Sequence, residues 1–474
     1  MEKAASALDW HIQKYWPEIK SVCICCGSGN NGGDGLLLAF KLSQRGILAR
    51  VILSKPPKPD SDAFIAFDIC NKAALQIEDY KSVVERPINS ALIVDAMLGS
   101  GFVGTLSPEF YPLFDAINSN DSPVLSVDVP SGVNVDSGNM DNDLHVIWAT
   151  HTLTFGGYKP GMVTGRANEA VGELFLDEID LSRCLKKHMP TALLYSQPKT
   201  RVTKRPAFAH KGKMGNVVLI GGNAEMGGAI MLATMASAAM GVGYVRCATH
   251  SINRTAMLSQ APEILISDWP EFNGNLELEG RGVPPDALVL GPGLGLSLIS
   301  QKIYSDTVSY LIQNKVPSVV DADALALLAE KPEFCDHWIL TPHPKEAARL
   351  LGDCSVEEVE SDRQTAARHI QQRYGGVCIL KGSGSLVYGD ATCTVNRSGN
   401  SGMARAGMGD VLSGILGGLL ARNPTGSLYD NACLGTWMHG KAGDLTRQNK
   451  HQESMQASDL VTALDQVWQF IDFN

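Results

Sequence analysis

The 474-residue chain has no excess of positive charge: 40 Lys and Arg against 50 Asp and Glu leave a formal net charge of −10. That balance argues against a broad nucleic-acid or anionic-membrane face, so any phosphate contact should come from backbone N–H groups. There is no Walker motif with its lysine, which disfavours a P-loop nucleotide hydrolase. Eleven cysteines is an odd number, and no CxxC pair elsewhere in the chain answers the Cys23-Ile24-Cys25-Cys26 run. Cys23, Cys25 and Cys26 crowd one apolar run and read as buried thiols of a reducing compartment, not as zinc ligands or disulfides. No apolar segment follows Met1-Glu2-Lys3-Ala4, so no secretory signal is read. One uncharged run, Met226 to Val245, has the length of a membrane span. It is rich in Gly, Ala and Ser and opens in a loop signature, which suits a helix buried between a sheet and other helices. A soluble cytoplasmic protein is expected, with no nucleic-acid or membrane partner.

What the chain does have is ordinary globular chemistry. Hydrophobic residues make up 44% and charged residues 19%, which excludes disorder as the dominant state. At about 100–200 residues per domain, two or three domains are expected. The first half alternates apolar β-branched runs with helical patterns. Strands are expected at Ser21–Cys26, Leu48–Leu53, Ala91–Ala96, Val124–Val127, His151–Phe155 and Gly172–Leu176. A glycine loop follows the first, with a helix from Gly35 that stops at Gly46. This alternation implies parallel strands with crossover helices on both faces. Between 186 and 206 the pattern lapses into Lys, Pro, Thr and Ser, as in a linker. A second α/β series follows, with strands at Val217–Ile220, Val245–Ala248, Leu288–Leu290, Ser318–Val320, Trp338–Leu340 and Val377–Leu380. It closes on three helices. The expected organisation is therefore 1–185, a linker over 186–206, and 207–474.

The chemistry collects where strands end. Gly27-Ser28-Gly29-Asn30-Asn31-Gly32-Gly33-Asp34-Gly35 combines glycines that let backbone N–H groups approach a phosphate with side-chain oxygens for a sugar, an amide or a cation. Asp95-Ala96-Met97-Leu98-Gly99-Ser100-Gly101 and Asp128-Val129-Pro130-Ser131-Gly132 each place a carboxylate at a strand end, where open parallel sheets bind ligands. Singly, each aspartate reads as a cap or Asx-turn; three such loops together point to a site. Asn31, Asp95 and Ser131 are hard oxygen donors suited to a group I or II cation.

In the second half, Leu290-Gly291-Pro292-Gly293-Leu294-Gly295 and Thr341-Pro342-His343-Pro344-Lys345-Glu346 again follow strands. His343 reads either as a ligand contact or as a loop-fixing residue. Lys381-Gly382-Ser383-Gly384-Ser385 offers a lysine with N–H and hydroxyl donors to a nucleotide phosphate. In Gly407-Met408-Gly409-Asp410 small residues run into a helix. The N–H groups of 407–409 would form an anion hole for a transferring phosphoryl group, with Asp410 as general base. Helix-terminal N–H groups should keep that carboxylate ionised at neutral pH.

In order along the chain, the motifs GNNGGDG, DAMLGSG, DVPSG, TPHPKE, KGSGS and GMGDVLSG resemble the bifunctional NAD(P)H-hydrate repair enzymes over nearly the whole length. The resemblance implies a Rossmann-like three-layer α/β/α epimerase domain and a ribokinase-like α/β/α dehydratase domain. The first would interconvert the R and S forms of NADHX and NADPHX, which carry water added across the nicotinamide ring. The second would dehydrate the S form, consuming ADP and releasing AMP and phosphate. Carried over by residue, Asn30, Asn31, Gly32, Gly33, Asp34, Gly99, Ser100, Gly101, Phe102, Val103, Gly104, Thr105 and Asp128 would hold the hydrate in the first domain. Asn31, Asp95 and Ser131 would coordinate K+. In the second domain Ala229, Gly293, His343 and Asp410 would meet the hydrate, and Lys381, Gly382, Ser383, Gly384, Ser385 and Gly409 the adenine nucleotide. Asp410 and Asp128 are the expected acid–base residues, with Lys159 assisting Asp128; Mg2+ on the nucleotide phosphates follows from the reaction class. A homo-oligomer is expected. Two features depart from the family pattern: an additional N-terminal helical segment is usual, and Met408 stands where many members have threonine. The competing reading is a ribokinase-like small-molecule kinase fused to a regulatory nucleotide-binding domain, which would release a stable phosphorylated product. A third makes the first half a non-catalytic binding module.

Overall fold

A computed structural model describes residues 1–102, 104–140, 145–181, 190–198, 202–269, 276, 284–424 and 426–473. Val103 and parts of the expected linker lie outside the described residues. The chain forms two compact units, Met1–Pro190 and Thr191–Asn474.

The first unit is built on seven strands: β1 (Ser21–Cys26), β2 (Leu48–Leu53), β3 (Gln76–Asp79), β4 (Leu92–Ala96), β5 (Val124–Val127), β6 (His151–Phe155) and β7 (Glu173–Asp177). Their spatial order is β3-β2-β1-β4-β5-β6-β7, and every pair is parallel. β1 shows why. Val22, Ile24 and Cys26 pack into one apolar cluster and Cys23 and Cys25 into another, so both faces are covered, as a continuous apolar strand requires. The ten described cysteines are free thiols. The strand order reverses between β1 and β4, which opens a crevice at their carboxyl ends.

One local expectation is corrected here. The helix after β1 spans Asn30–Gln44 and does not wait for Gly35; the loop proper is only Gly27–Gly29. A Cβ at Gly32 would stand 1.9 Å from the carbonyl oxygen of Gly27, so glycine is what lets the helix start this close to the strand.

The second unit has ten strands: β8 (Leu193–Tyr195), β9 (Asn216–Ile220), β10 (Tyr244–Thr249), β11 (Leu265–Asp268), β12 (Ala287–Leu290), β13 (Ser318–Val320), β14 (Trp338–Leu340), β15 (Val377–Leu380), β16 (Ser385–Gly389) and β17 (Thr392–Asn396). The order is β11-β10-β9-β12-β13-β14-β15-β16-β17-β8. Only the β15–β16 and β16–β17 pairs are antiparallel. β8 falls inside the stretch read as linker, where it pairs in parallel with β17. The uncharged run yields the Gly227–Ala239 helix. It packs on Met408–Arg422, whose Gly414 admits the Ala233 carbonyl: an added Cβ would lie 2.1 Å from that oxygen. No helix among the described residues is long and apolar enough to cross a membrane.

Candidate functional sites

In the first unit the expected cation donors meet. Asp95, wholly buried at the end of β4, accepts from the Ser131 hydroxyl (2.6 Å), the Ser131 N–H (2.8 Å), the Ser126 hydroxyl (3.0 Å) and the Met97 N–H (3.2 Å). Asn31 Nδ2 donates to the Leu98 carbonyl at 3.0 Å, and Leu98 N–H donates to Ser131 Oγ at 2.9 Å. Three loops are thereby tied into one oxygen-rich knot. Burial raises the Asp95 carboxyl above its usual range, with these hydrogen bonds opposing. Among the described residues no basic side chain forms an ion pair with it. A buried carboxylate without a cation is costly, and a monovalent cation fits that need and the neutral oxygens around it.

Asp128 ends β5 with a left-handed φ of 65°, a conformation non-glycine residues rarely hold unless their surroundings impose it. Its N–H donates to the Leu153 carbonyl at 2.9 Å. Its carboxylate accepts from Thr154 Oγ1 and Phe155 N–H, both 3.1 Å, and pairs with the Lys159 ammonium. Lys159 also donates to Thr154 Oγ1 at 2.6 Å. Asp34, one turn into the Asn30–Gln44 helix, has its carboxyl pushed up to about 6. Burial is the main cause; the Met1 amino group opposes it and Asp128 adds to it. An aspartate of intermediate pKa beside an aspartate–lysine pair can exchange protons near neutrality. Gly32 and Gly33 are buried backbone, whereas Ser100, Gly101, Gly104 and Thr105 are exposed. Phe102, Gly104, Thr105, Gly132, Asn134 and Asn139 line a cavity there.

In the second unit the switch point lies between β9 and β12. Gly222 N–H donates to the Pro292 carbonyl (2.9 Å) and Asn223 N–H to that of Gly293 (2.6 Å). A Cβ on Gly293 would come within 3.2 Å of the Ala229 Cβ, so these two hydrate candidates touch. The remaining candidates gather at the ends of β13, β14 and β15. Lys381 Nζ donates to Asp321 Oδ1 at 2.9 Å and stands 3.7 Å from Glu346. Ser413, one turn into the Met408–Arg422 helix, donates to Asp321 Oδ2 at 2.6 Å. Burial would raise the Asp321 carboxyl, but Lys381 and the hydrogen bonds from Ser413, Lys381 and Thr341 hold it below its usual range. Burial would likewise lower Lys381; Asp321 and Glu346 keep it above its ordinary value.

Asp410 is the exception, and it corrects an expectation. Its carboxyl is pushed up to about 7, first by burial, then by Asp321, with Lys381 opposing and Asp323 and Glu346 adding. Burial, reinforced by the negative field of three neighbouring acids, outweighs the helix-terminal N–H groups. Gly409 leaves room for this cluster, since a Cβ there would lie 3.3 Å from Lys381 Nζ. Lys381 thus sits in the carboxylate cluster beside Asp410, and not only at the start of the 381–385 loop.

His343 caps the Pro344–Leu351 helix. Its Nδ1 accepts from the N–H groups of Lys345 (3.1 Å) and Glu346 (3.3 Å), while Glu346 accepts the His343 N–H at 2.8 Å. Burial holds the imidazole below its ordinary 6.5, so it is neutral at pH 7. With Nδ1 accepting, the proton is on Nε2, which stands 3.5 Å from Glu346 Oε1. The loop-fixing alternative is therefore realised. Asp321, Asp323, Glu346, Ser413 and Thr154 were not singled out from sequence. Asp321 follows a strand end, the same signal that found Asp95 and Asp128.

Among the described residues no three His, Cys, Asp or Glu side chains group closely enough to cage a metal ion.

The family profile for NAD(P)H-hydrate dehydratase matches residues 217–466, and that for the YjeF-related protein N-terminus matches residues 1–161. The bifunctional NAD(P)H-hydrate repair enzyme Nnr of Vibrio cholerae is 40% identical over 98% of this chain and 92% of its own length. That of Escherichia coli is 36% identical over 98% and 88%. A ribokinase-like superfamily protein from Enterococcus faecalis superposes with a TM-score of 0.54 at 25% identity, over 60% of this chain and 98% of its own. The ADP/ATP-dependent NAD(P)H-hydrate dehydratase of Bacillus subtilis, co-crystallised with ATP and Mg2+, gives 0.51 at 26%, over 57% and 94%. Both halves match in order and over nearly their full length, and the chain belongs to the family of bifunctional NAD(P)H-hydrate repair enzymes, epimerase and dehydratase in one polypeptide.

Proposed function

We propose that the first unit epimerises R- and S-NAD(P)HX with Asp128 as acid–base residue, Lys159 and Asp34 assisting, and that K+ at Asn31, Asp95 and Ser131 fixes the three loops around the hydrate. The second unit dehydrates S-NAD(P)HX with ADP. The Gly293 loop and His343 Nε2 hold the hydrate, and residues 381–385 with Gly409 hold the nucleotide. Asp410 takes the proton from the ring hydroxyl, whose oxygen attacks the terminal phosphorus of ADP over the 407–409 N–H groups; AMP leaves. The C–O bond then breaks with phosphate departing, a far better leaving group than hydroxide, and loss of the neighbouring proton restores the ring. Lys381, neutralised in the free protein by Asp321, faces the charge that develops on the phosphoryl oxygens. Mg2+, when bound, screens the phosphates. Homo-oligomerisation and a cytoplasmic location complete the reading.

The observation that carries it is the Asp410 carboxyl poised near neutrality beside Lys381 and Asp321 at a helix start. The test is incubation of mixed hydrate epimers with ADP or ATP while following the reduced-nicotinamide absorbance. Full recovery with release of AMP and phosphate is expected. Recovery stopping near half would remove the epimerase assignment, and a stable phosphorylated product would remove the dehydratase.

A further inference from the structure

Arg363 opens the Arg363–Tyr374 helix and is 1% exposed, among the largest fully buried side chains of the protein. Burying a guanidinium demands a specific use for its donors. One end meets both carboxylate oxygens of Glu360 at 3.0 Å. The other donates to the carbonyls of Leu380 (3.3 Å) and Lys381 (3.0 Å), where β15 turns into the 381–385 loop. At Gly382 the backbone has φ 140°, and a Cβ there would sit 2.8–3.2 Å from the guanidinium atoms. The helix start is itself pinned, because Asp362 accepts the Thr365 N–H at 3.0 Å. The guanidinium therefore holds the root of this loop from beneath. It also consumes two carbonyl dipoles that would otherwise be free to turn toward an anion on the loop.

We propose that Arg363 is a positioning residue that presents the 381–385 loop to the phosphates of the adenine nucleotide. This rests on the nucleotide assignment of that loop made above. Glu360 neutralises the guanidinium, so Arg363 acts through loop geometry and not by direct charge on the ligand.

The test uses the full chain. Hydrogen exchange over residues 380–386 of the wild type, with and without ADP, first reports whether the nucleotide touches the loop; absence of protection would sink the nucleotide assignment itself. Steady-state dehydration of S hydrate is then measured for Arg363→Lys and Glu360→Gln. Lysine cannot span both carbonyls and the carboxylate, so the KM for ADP should rise about tenfold, the equivalent of one charge-assisted hydrogen bond. The KM for the hydrate and the kcat at saturating ADP should stay within about twofold. Glu360→Gln, at a partly exposed position, should fold and raise the ADP KM about threefold; it carries the test alone if Arg363→Lys does not fold. A protected loop together with wild-type ADP KM in the folded variants would overturn the proposal. So would a uniform fall in kcat with both KM values unchanged, which is the mark of a merely structural role.

Discussion

A carboxyl raised from 3.8 to about 7 makes Asp410, the proposed base, a liability as well. As a base, it should give a dehydration rate that climbs with pH through about 7 and levels above it. Asp410→Asn should cost about 10²–10⁴-fold in rate. The liability is thermodynamic. Because the folded pKa is raised, stability from protonated Asp410 is full below about 4 and is lost as pH rises through about 7. Asp410→Asn should therefore melt higher than the wild type by a larger margin at pH 8 than at pH 5; equal margins would contradict the buried environment. Lys381→Met removes the charge that most lowers Asp410, so the pH–rate profile should move to higher pH while the apparent ADP requirement rises. It also strands Asp321, and breaking a buried pair costs about 3–5 kcal/mol, visible as reduced urea resistance. The Asp410 loop was legible because glycines and an acid run straight into an apolar helix. Asp321 carried only the strand-end signal: its importance comes from burial against Lys381 and Ser413, 60 and 92 positions away, and distance in sequence hides that.

Strands β2, β5, β13, β14 and β15 lie where the apolar runs put them, because central strands are buried on both faces and their residues are mostly apolar; β6 instead shows alternation in His151-Thr152-Leu153-Thr154-Phe155. The edge strands β3 and β11, half exposed and carrying acids, have no such signature. The hairpin β16–β17 was hidden by the glycine loop in front of it. Helix packing is a tighter constraint than pattern. Gly414→Ala drives a methyl into the Ala233 carbonyl, and overpacking of this kind costs about 1–3 kcal/mol. Since that contact joins the helix bearing Asp410 to the one bearing Ala229, dehydration should weaken along with the melting temperature, whereas epimerisation should not. Among the first unit's loops, Asp95→Ala should abolish any potassium dependence of epimerisation and weaken hydrate affinity there. Turnover of pure S hydrate by the second unit should continue. Identical wild-type epimerisation with and without potassium would remove the cation from that site.

The two units match two family profiles, and the reactions they are assigned share a substrate but no residue. The alternation of strand and helix patterns foresaw two α/β cores; it did not foresee that the second begins inside the apparent linker. Leu193–Tyr195 looks like linker because three residues are too few to show alternation, yet it pairs with Thr394–Asn396. A fragment of 191–474 should accordingly be more stable to urea than one of 207–474, which leaves β17 as a bare edge open to aggregation. The same pairing has a consequence in time. During synthesis β8 leaves the ribosome first, and its partner, 394 − 193 = 201 positions later, follows about 10–40 s afterwards at 5–20 residues per second. Until then the strand that will close the sheet is an unpaired apolar thread. The flanking prolines, lysines and serines that disguised it as linker keep it soluble while it waits.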